Sequence, residues 1–333
     1  MNLVFIVGQT AVGKTEWALN WAGQEKKAGI LNADSIQVYK QLDKGSSKPD
    51  FLKHPKIPFY LFNELQAPAF WTAGLFRKRA LEILSTKLGS EKIFVVGGAG
   101  FYIQALEKGM YDISPEKESN HKQELDQNTG LSGGEKQSIK VETASLLVKN
   151  SKKSGQATEQ TKQKTVSPGG LYEELQSKDP EVAKKISPKD RYRILRALSI
   201  IKKEKKTLTQ IKKEFQPEQL KWPYIKVGLF LPKENLLERV IARTNQMLKQ
   251  GWVEETERLL KQGLKNWKPL SSVGYKEIQL YLEGQIKKED LAPAIVSSTM
   301  KLAKKQKTWF KKDKSIQWFD ARLPPLKVYQ QIF

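Results

Sequence analysis

The chain has 333 residues, with 58 Lys and Arg against 36 Asp and Glu, a formal charge of +22. That excess favours a polyanion such as nucleic acid or an anionic surface, and the length suits about two domains. There is no cysteine and the only histidines are His54 and His121, which excludes a disulfide framework, thiolate chemistry, Cys-ligated metal and a His-based metal cluster or Ser-His-Asp triad.

Asn2–Val7 is a short apolar run of the kind found inside a parallel sheet. It lacks a basic n-region, and no run in the chain approaches the roughly 20 apolar residues of a membrane span. The expected compartment is therefore cytoplasmic, with no membrane partner. Gly8–Thr15 reads as a loop and Glu16–Ala22 as a helix. Ile30–Asn32 reads as a second strand, Phe76–Leu88 as a helix, Ile93–Val96 as a strand ending in Gly97-Gly98, and Lys226–Leu231 as a later strand. Strands alternating with helices predict an α/β fold with a parallel sheet.

The middle of the chain differs. No aromatic residue occurs from Asp112 to Leu171, and Leu131–Gly170 is rich in Ser, Gly, Thr, Gln and Lys, so residues 130–168 are expected to be flexible. Leu171–Ile201 has a helical pattern broken near Pro188, and Glu234–Gln250 and Val253–Gln262 predict long amphipathic helices. The expected division is a core from 1–112 and 191–333, with a mainly helical insertion at 113–190.

Gly8-Gln9-Thr10-Ala11-Val12-Gly13-Lys14-Thr15 fits the phosphate-loop pattern G-x-x-x-x-G-K-[ST] in its strand–loop–helix context. The glycines let successive N–H groups turn inward, and the following helix adds its positive end. Lys14 can reach phosphate oxygens, and the Thr15 hydroxyl can ligate Mg²⁺. The pattern is that of nucleotide- and ATP-binding proteins, but it specifies only a diphosphate or triphosphate. A phosphoryl-transfer enzyme also wants an acid at the end of a later core strand. Ile93–Val96 ends in glycines instead. Asp34, just past the second strand, is placed to take a proton from a nucleophile; an Asx turn would use the same residue type.

Further words occur in order: Ala33–Tyr39, Gly97–Tyr102, Asp190–Leu198, Val273–Glu277 and Lys301–Trp309. With the phosphate loop they resemble the tRNA dimethylallyltransferase (isopentenyl-tRNA transferase) family over nearly the whole chain except about 115–170. The resemblance implies a P-loop NTPase-like core with an inserted tRNA-binding domain. The loop Gly8, Gln9, Thr10, Ala11, Val12, Gly13, Lys14 and Thr15 would hold the diphosphate of dimethylallyl diphosphate, with Mg²⁺ at Thr15. The exocyclic N6 of the adenosine 3′ of the anticodon would attack the allylic carbon. Asp34 would be the general base, with Lys14 and Arg243 stabilising the diphosphate. The implied tRNA contacts are Asp34, Ser35, Ile36, Gln37, Ala99, Tyr192, Arg193, Arg196, Ser271, Ser272, Val273, Gly274, Tyr275 and Lys276. The expected species is a monomer acting on the tRNA anticodon stem-loop.

Three departures from the family pattern stand out. Gln9 replaces a proline, Ala99 replaces a threonine whose hydroxyl lies beside the reacting centre, and Met300-Lys301 replaces an arginine-bearing pair. Ala99 keeps a weakly active or silent RNA-binding protein among the alternatives, beside a P-loop kinase for a small metabolite and a prenyltransferase of free AMP or ADP. Lys301–Lys314 carries seven Lys against one Asp, with Trp309 and Phe310 interleaved, and Lys202–Lys213 carries six Lys against one Glu. Such runs suit a phosphate backbone.

Overall fold

A computed structural model describes residues 2–110 and 168–333. The expected flexible stretch lies outside the described residues, apart from Pro168, which opens a helix. The chain forms two compact units: residues 1–112 with 217–333, and residues 113–216.

The first unit begins with β1 (Leu3–Gly8), α1 (Lys14–Ala22), β2 (Ala28–Asn32), β3 (Phe59–Tyr60), α2 (Ala73–Lys87), β4 (Lys92–Gly97) and α3 (Gly100–Lys108). The inserted unit supplies α4 (Pro168–Lys178), α5 (Pro180–Ala183), α6 (Arg191–Glu204) and α7 (Leu208–Glu214). The chain then returns through β5 (Tyr224–Phe230), α8 (Lys233–Lys249), α9 (Trp252–Lys261), α10 (Tyr275–Leu282), α11 (Lys288–Phe310), β6 (Ile316–Asp320) and α12 (Pro325–Ile332). The return falls at 217 rather than at 191. Ile194, Ala197 and Leu198 of α6 bury themselves with Leu175 of α4 and Ala183 of α5, so α6 belongs to the core of the inserted unit.

The sheet has six strands in the order β3-β2-β4-β1-β5-β6, all parallel. Its strands are apolar on both faces because helices cover both. Leu3, Phe5 and Val7 face one side, packed with Phe76 of α2 and Ile103 and Leu106 of α3. Val4 and Ile6 face the other, with Trp17 and Trp21 of α1, Val240 of α8 and Val328 of α12. At about 1.5–3 kcal/mol per fully buried large apolar side chain, these two layers dominate the stability of the core. A third cluster joins Val38, Tyr39 and Leu42 to Trp252, Leu259, Tyr275, Ile278 and Ile295, tying the segment after β2 to the C-terminal helices.

Register brings the strand ends together. Val7 pairs with Gly97 and Asn32 with Val96, so β1, β2 and β4 finish along one edge of the sheet. Ligands bind outside the carboxyl ends of strands in open α/β sheets. Gly97 permits the close approach there: a Cβ would lie 2.2 Å from the Ala33 carbonyl oxygen.

Candidate active site

The loop between β1 and α1 curls through left-handed conformations at Ala11 (φ 61°) and Gly13 (φ 99°). This turns backbone amides to one side, the geometry of an anion nest. Lys14 folds back over the loop, its Nζ donating to the carbonyls of Gln9 at 2.7 Å and Gly8 at 3.2 Å. Burial draws its pKa down from 10.5 to about 8; the Arg243 charge adds to that fall and the Asp34 carboxylate opposes it. Lys14, Asp34 and Arg243, distant in sequence, therefore share one electrostatic neighbourhood.

Arg243 arrives from α8, where its Nη1 donates to Thr10 Oγ1 at 3.3 Å. Burial lowers its pKa and Asp34 opposes the fall, but a guanidinium stays cationic. Arg239, one turn earlier, donates from Nη1 to the Val12 carbonyl at 3.2 Å. Two arginines of one helix face thus brace the loop. The Thr15 hydroxyl, half-buried at the start of α1, has no hydrogen-bond partner among the described residues.

Asp34 sits just beyond β2. Its Oδ1 accepts from the backbone N–H of Ile36 at 2.8 Å and of Gln37 at 3.4 Å, while its own N–H donates to Asn32 Oδ1 at 2.9 Å. The Asx turn and the proton-accepting role coexist: one oxygen fixes the turn and Oδ2 has no partner among the described residues. Ser35, Ile36 and Gln37 are half-buried beside it. Gln37 Nε2 donates to the carbonyls of Ser46 at 2.9 Å and Ser47 at 3.2 Å, securing the next loop.

Ala99 is the N-cap of α3 and supplies no side-chain cap. Its turn is held instead by α11, because Gln306 Nε2 donates to the Gly98 carbonyl at 3.0 Å. Beyond this turn, Lys301, Lys304, Lys305, Thr308 and Lys312 of α11 line a shallow groove of about 390 Å³ with Trp309, whose ring is 42 % exposed.

The remaining expected contacts divide. Ser271, Ser272 and Val273 lie at or near the surface ahead of α10, and Lys276 is exposed. Tyr275 is not available to a partner. It is fully buried, and its hydroxyl donates to Glu255 Oε1 at 2.7 Å. Gly274 (φ 90°) is equally enclosed, with space for a Cβ taken by the Trp252 ring at 1.8 Å. Glu255 escapes sequence reading because it looks like a solvated helix charge, yet its carboxylate accepts the N–H groups of Asp43 at 2.9 Å, Lys44 at 2.8 Å and Gly45 at 3.3 Å. The signal is its position one turn from Trp252, Thr256 and Leu259 on the buried face. In the inserted unit, Tyr192 and Arg193 are exposed on α6 and Arg196 is half-buried. Asp190 caps that helix and pairs with Arg193.

A phosphate loop at the carboxyl edge of a parallel sheet, two buried cations and one carboxylate across from them define a P-loop transferase site built for a diphosphate. The description IPP transferase matches residues 37–313, and isopentenyl transferase matches residues 1–58. A tRNA dimethylallyltransferase of Bdellovibrio bacteriovorus is 38% identical, covering 96% of this chain and 93% of that protein. One from Synechocystis is 33% identical over 97% and 92%. A crystal structure of tRNA delta(2)-isopentenylpyrophosphate transferase from Staphylococcus epidermidis superposes with a TM-score of 0.62 at 29% identity, covering 99% of this chain and 96% of that one. A eukaryotic dimethylallyltransferase acting on tRNA shares the fold at a TM-score of 0.72 and 22% identity, covering 96% of this chain and 73% of that one. The chain belongs to the IPP transferase family.

Proposed function

We infer that this protein is a tRNA dimethylallyltransferase that moves the allyl group of dimethylallyl diphosphate to N6 of the adenosine 3′ of the anticodon, releasing diphosphate. The observation that carries the reading is the placement of Asp34, with a carboxylate oxygen to spare, in one electrostatic neighbourhood with Lys14 and Arg243 at the phosphate loop. Near-full-length similarity to proteins of that name supports the substrate.

The adenine amino group is a poor nucleophile because its lone pair is delocalised into the ring. It needs proton removal and close approach to an electrophilic carbon. In the proposed reaction N6 forms a bond to C1 of the allyl group, the C1–O bond breaks, and its electron pair leaves with diphosphate. Asp34 Oδ2 takes the N6 proton. Lys14, Arg243 and the loop amides stabilise the charge that gathers on the leaving diphosphate. The target base must leave its stack, which costs least in a loop.

The donors at Thr15 fit Mg²⁺. Its hydroxyl is a hard oxygen with no internal partner, and the described residues hold no group of three His, Cys, Asp or Glu that would cage a metal on their own. Thr15 would hold the ion together with diphosphate oxygens and water, and the ion would supply further neutralisation of the leaving group. The exposed Tyr192 and Arg193, the surface residues Ser271–Val273 and Lys276, and the α11 lysines are the proposed RNA contacts. The proposed species is a cytoplasmic monomer.

A metabolite kinase is disfavoured, since β4 ends in Gly97 where a second metal-holding acid would stand. The test is incubation of unmodified tRNA with labelled dimethylallyl diphosphate and Mg²⁺. Label should enter one RNA position and vanish when the adenosine 3′ of the anticodon is replaced. Label in free AMP, or γ-phosphate transfer from ATP, would reject the reading.

A further inference from the structure

The phosphate loop and the β4–α3 turn do not touch through their own side chains; one side chain of α11 joins them. Gln306 Oε1 accepts the Thr10 N–H at 2.7 Å, and its Nε2 donates to the Gly98 carbonyl at 3.0 Å. The same helix reinforces both ends. One turn earlier, the Ala303 carbonyl accepts from Gln9 Nε2 at 3.3 Å. One turn later, Trp309 lies so close to Gly100 that a Cβ there would sit 2.2 Å from the ring. A Cβ on Gly98 would sit 2.4 Å from Gln306 Nε2, so that turn is seated directly on the carboxamide.

The two segments carry the two reactants. The loop holds the diphosphate, and with it the electrophilic carbon. The β4–α3 turn, at Ala99, borders the place where the nucleobase must arrive. We propose that Gln306 is a positioning residue that sets the distance between the phosphate loop and the β4–α3 turn, and so the approach of nucleophile to carbon. The proposal rests on the prenyl-transfer reading above. It makes Gln306 a spacer and not a diphosphate ligand, because its oxygen occupies the Thr10 N–H instead of leaving it to the anion. Removing the carboxamide frees that N–H for diphosphate while loosening the spacing.

The expected result is therefore one-sided. Gln306→Met keeps length and removes both hydrogen bonds; kcat should fall about 100-fold, the usual cost of misplacing reactants by an ångström. KM for dimethylallyl diphosphate should stay within about threefold, since ground-state binding is kept. Gly98→Ala disturbs the same contact from the other side and should lower kcat in the same way. The double variant should be no slower than the worse single variant, because both act through one contact. Rates are taken per active site, from titration of bound diphosphate, so loss of folded protein cannot imitate the effect. A raised KM with unchanged kcat would make Gln306 a ligand, unchanged kcat in both variants would make it structural filler, and additive losses would break the link to Gly98; each overturns the proposal. Failure of the wild-type protein to modify tRNA would instead reject the prenyl-transfer reading.

Discussion

Lys14 bears most of the tension in the site, because burial works against its charge while diphosphate requires it. With its pKa drawn down to about 8, the free protein loses that charge as pH rises through this value. Diphosphate favours the cation, so binding above pH 8 must take up a proton. Calorimetry in two buffers of different ionisation heat, at about pH 9, should show uptake approaching one proton, with affinity falling up to about tenfold per pH unit. Absence of uptake would place the charge elsewhere. Arg243, braced against Thr10, should act on the same ligand: Arg243→Ala should raise KM for dimethylallyl diphosphate by about 10-fold or more, the cost of a charge-assisted contact. Ala99 is the reverse case. A threonine there would supply the missing N-cap of α3, worth about 1 kcal/mol, and restore a hydroxyl beside the reacting centre. Ala99→Thr should raise both the melting temperature and kcat; a gain in stability without one in turnover would mean that water already fills the role.

The elements that hold this site were unevenly visible in the sequence. β1, β2, β4 and β5 are legible because a strand covered on both faces is apolar throughout. β3 has two residues and β6 is a half-exposed edge, so neither carries a pattern. The phosphate loop and Asp34 could be read because local chain geometry demands those residues in that order. Gln306, Arg239 and Glu255 could not, since each acts across more than two hundred residues on a backbone atom. The boundary of the inserted unit was misplaced for a related reason: α6 is basic outside, and only its contacts with Leu175 and Ala183 show where it belongs. Asp179 is the polar anchor of that unit. It is buried, caps α5 by accepting from Val182 N, and accepts from Thr209 N and Oγ1. Burial alone would raise its pKa, but the Thr209 and backbone hydrogen bonds outweigh it and hold the pKa below the usual 3.8. The stability it contributes is present above that value and is lost as pH falls through the lowered pKa. Acid titration followed by hydrogen exchange should show α4–α7 loosening below about pH 4 in the wild type. Asp179→Ala should remove that step and destabilise the unit by about 1–3 kcal/mol, as expected for unpaired buried donors.

Over the whole molecule the net charge of +22 is long-range attraction for RNA, and the lysine groove of α11 places part of it against the turn that carries Ala99. Neutralised phosphates release counterions, so tRNA affinity should fall steeply with salt. Lys304→Ala and Lys305→Ala should each weaken tRNA binding and make the salt slope shallower by about one ion. Charge can draw the RNA in, but only the site can select the bond to be made. That selection rests on Asp34 accepting a proton while the phosphate loop retains diphosphate, and single-turnover transfer of labelled dimethylallyl groups to tRNA by Asp34→Asn separates the two. The variant should bind dimethylallyl diphosphate as the wild type does and transfer it about 100- to 10,000-fold more slowly, the range for loss of a general base. Transfer at the wild-type rate would remove Asp34 from the chemistry and contradict the account.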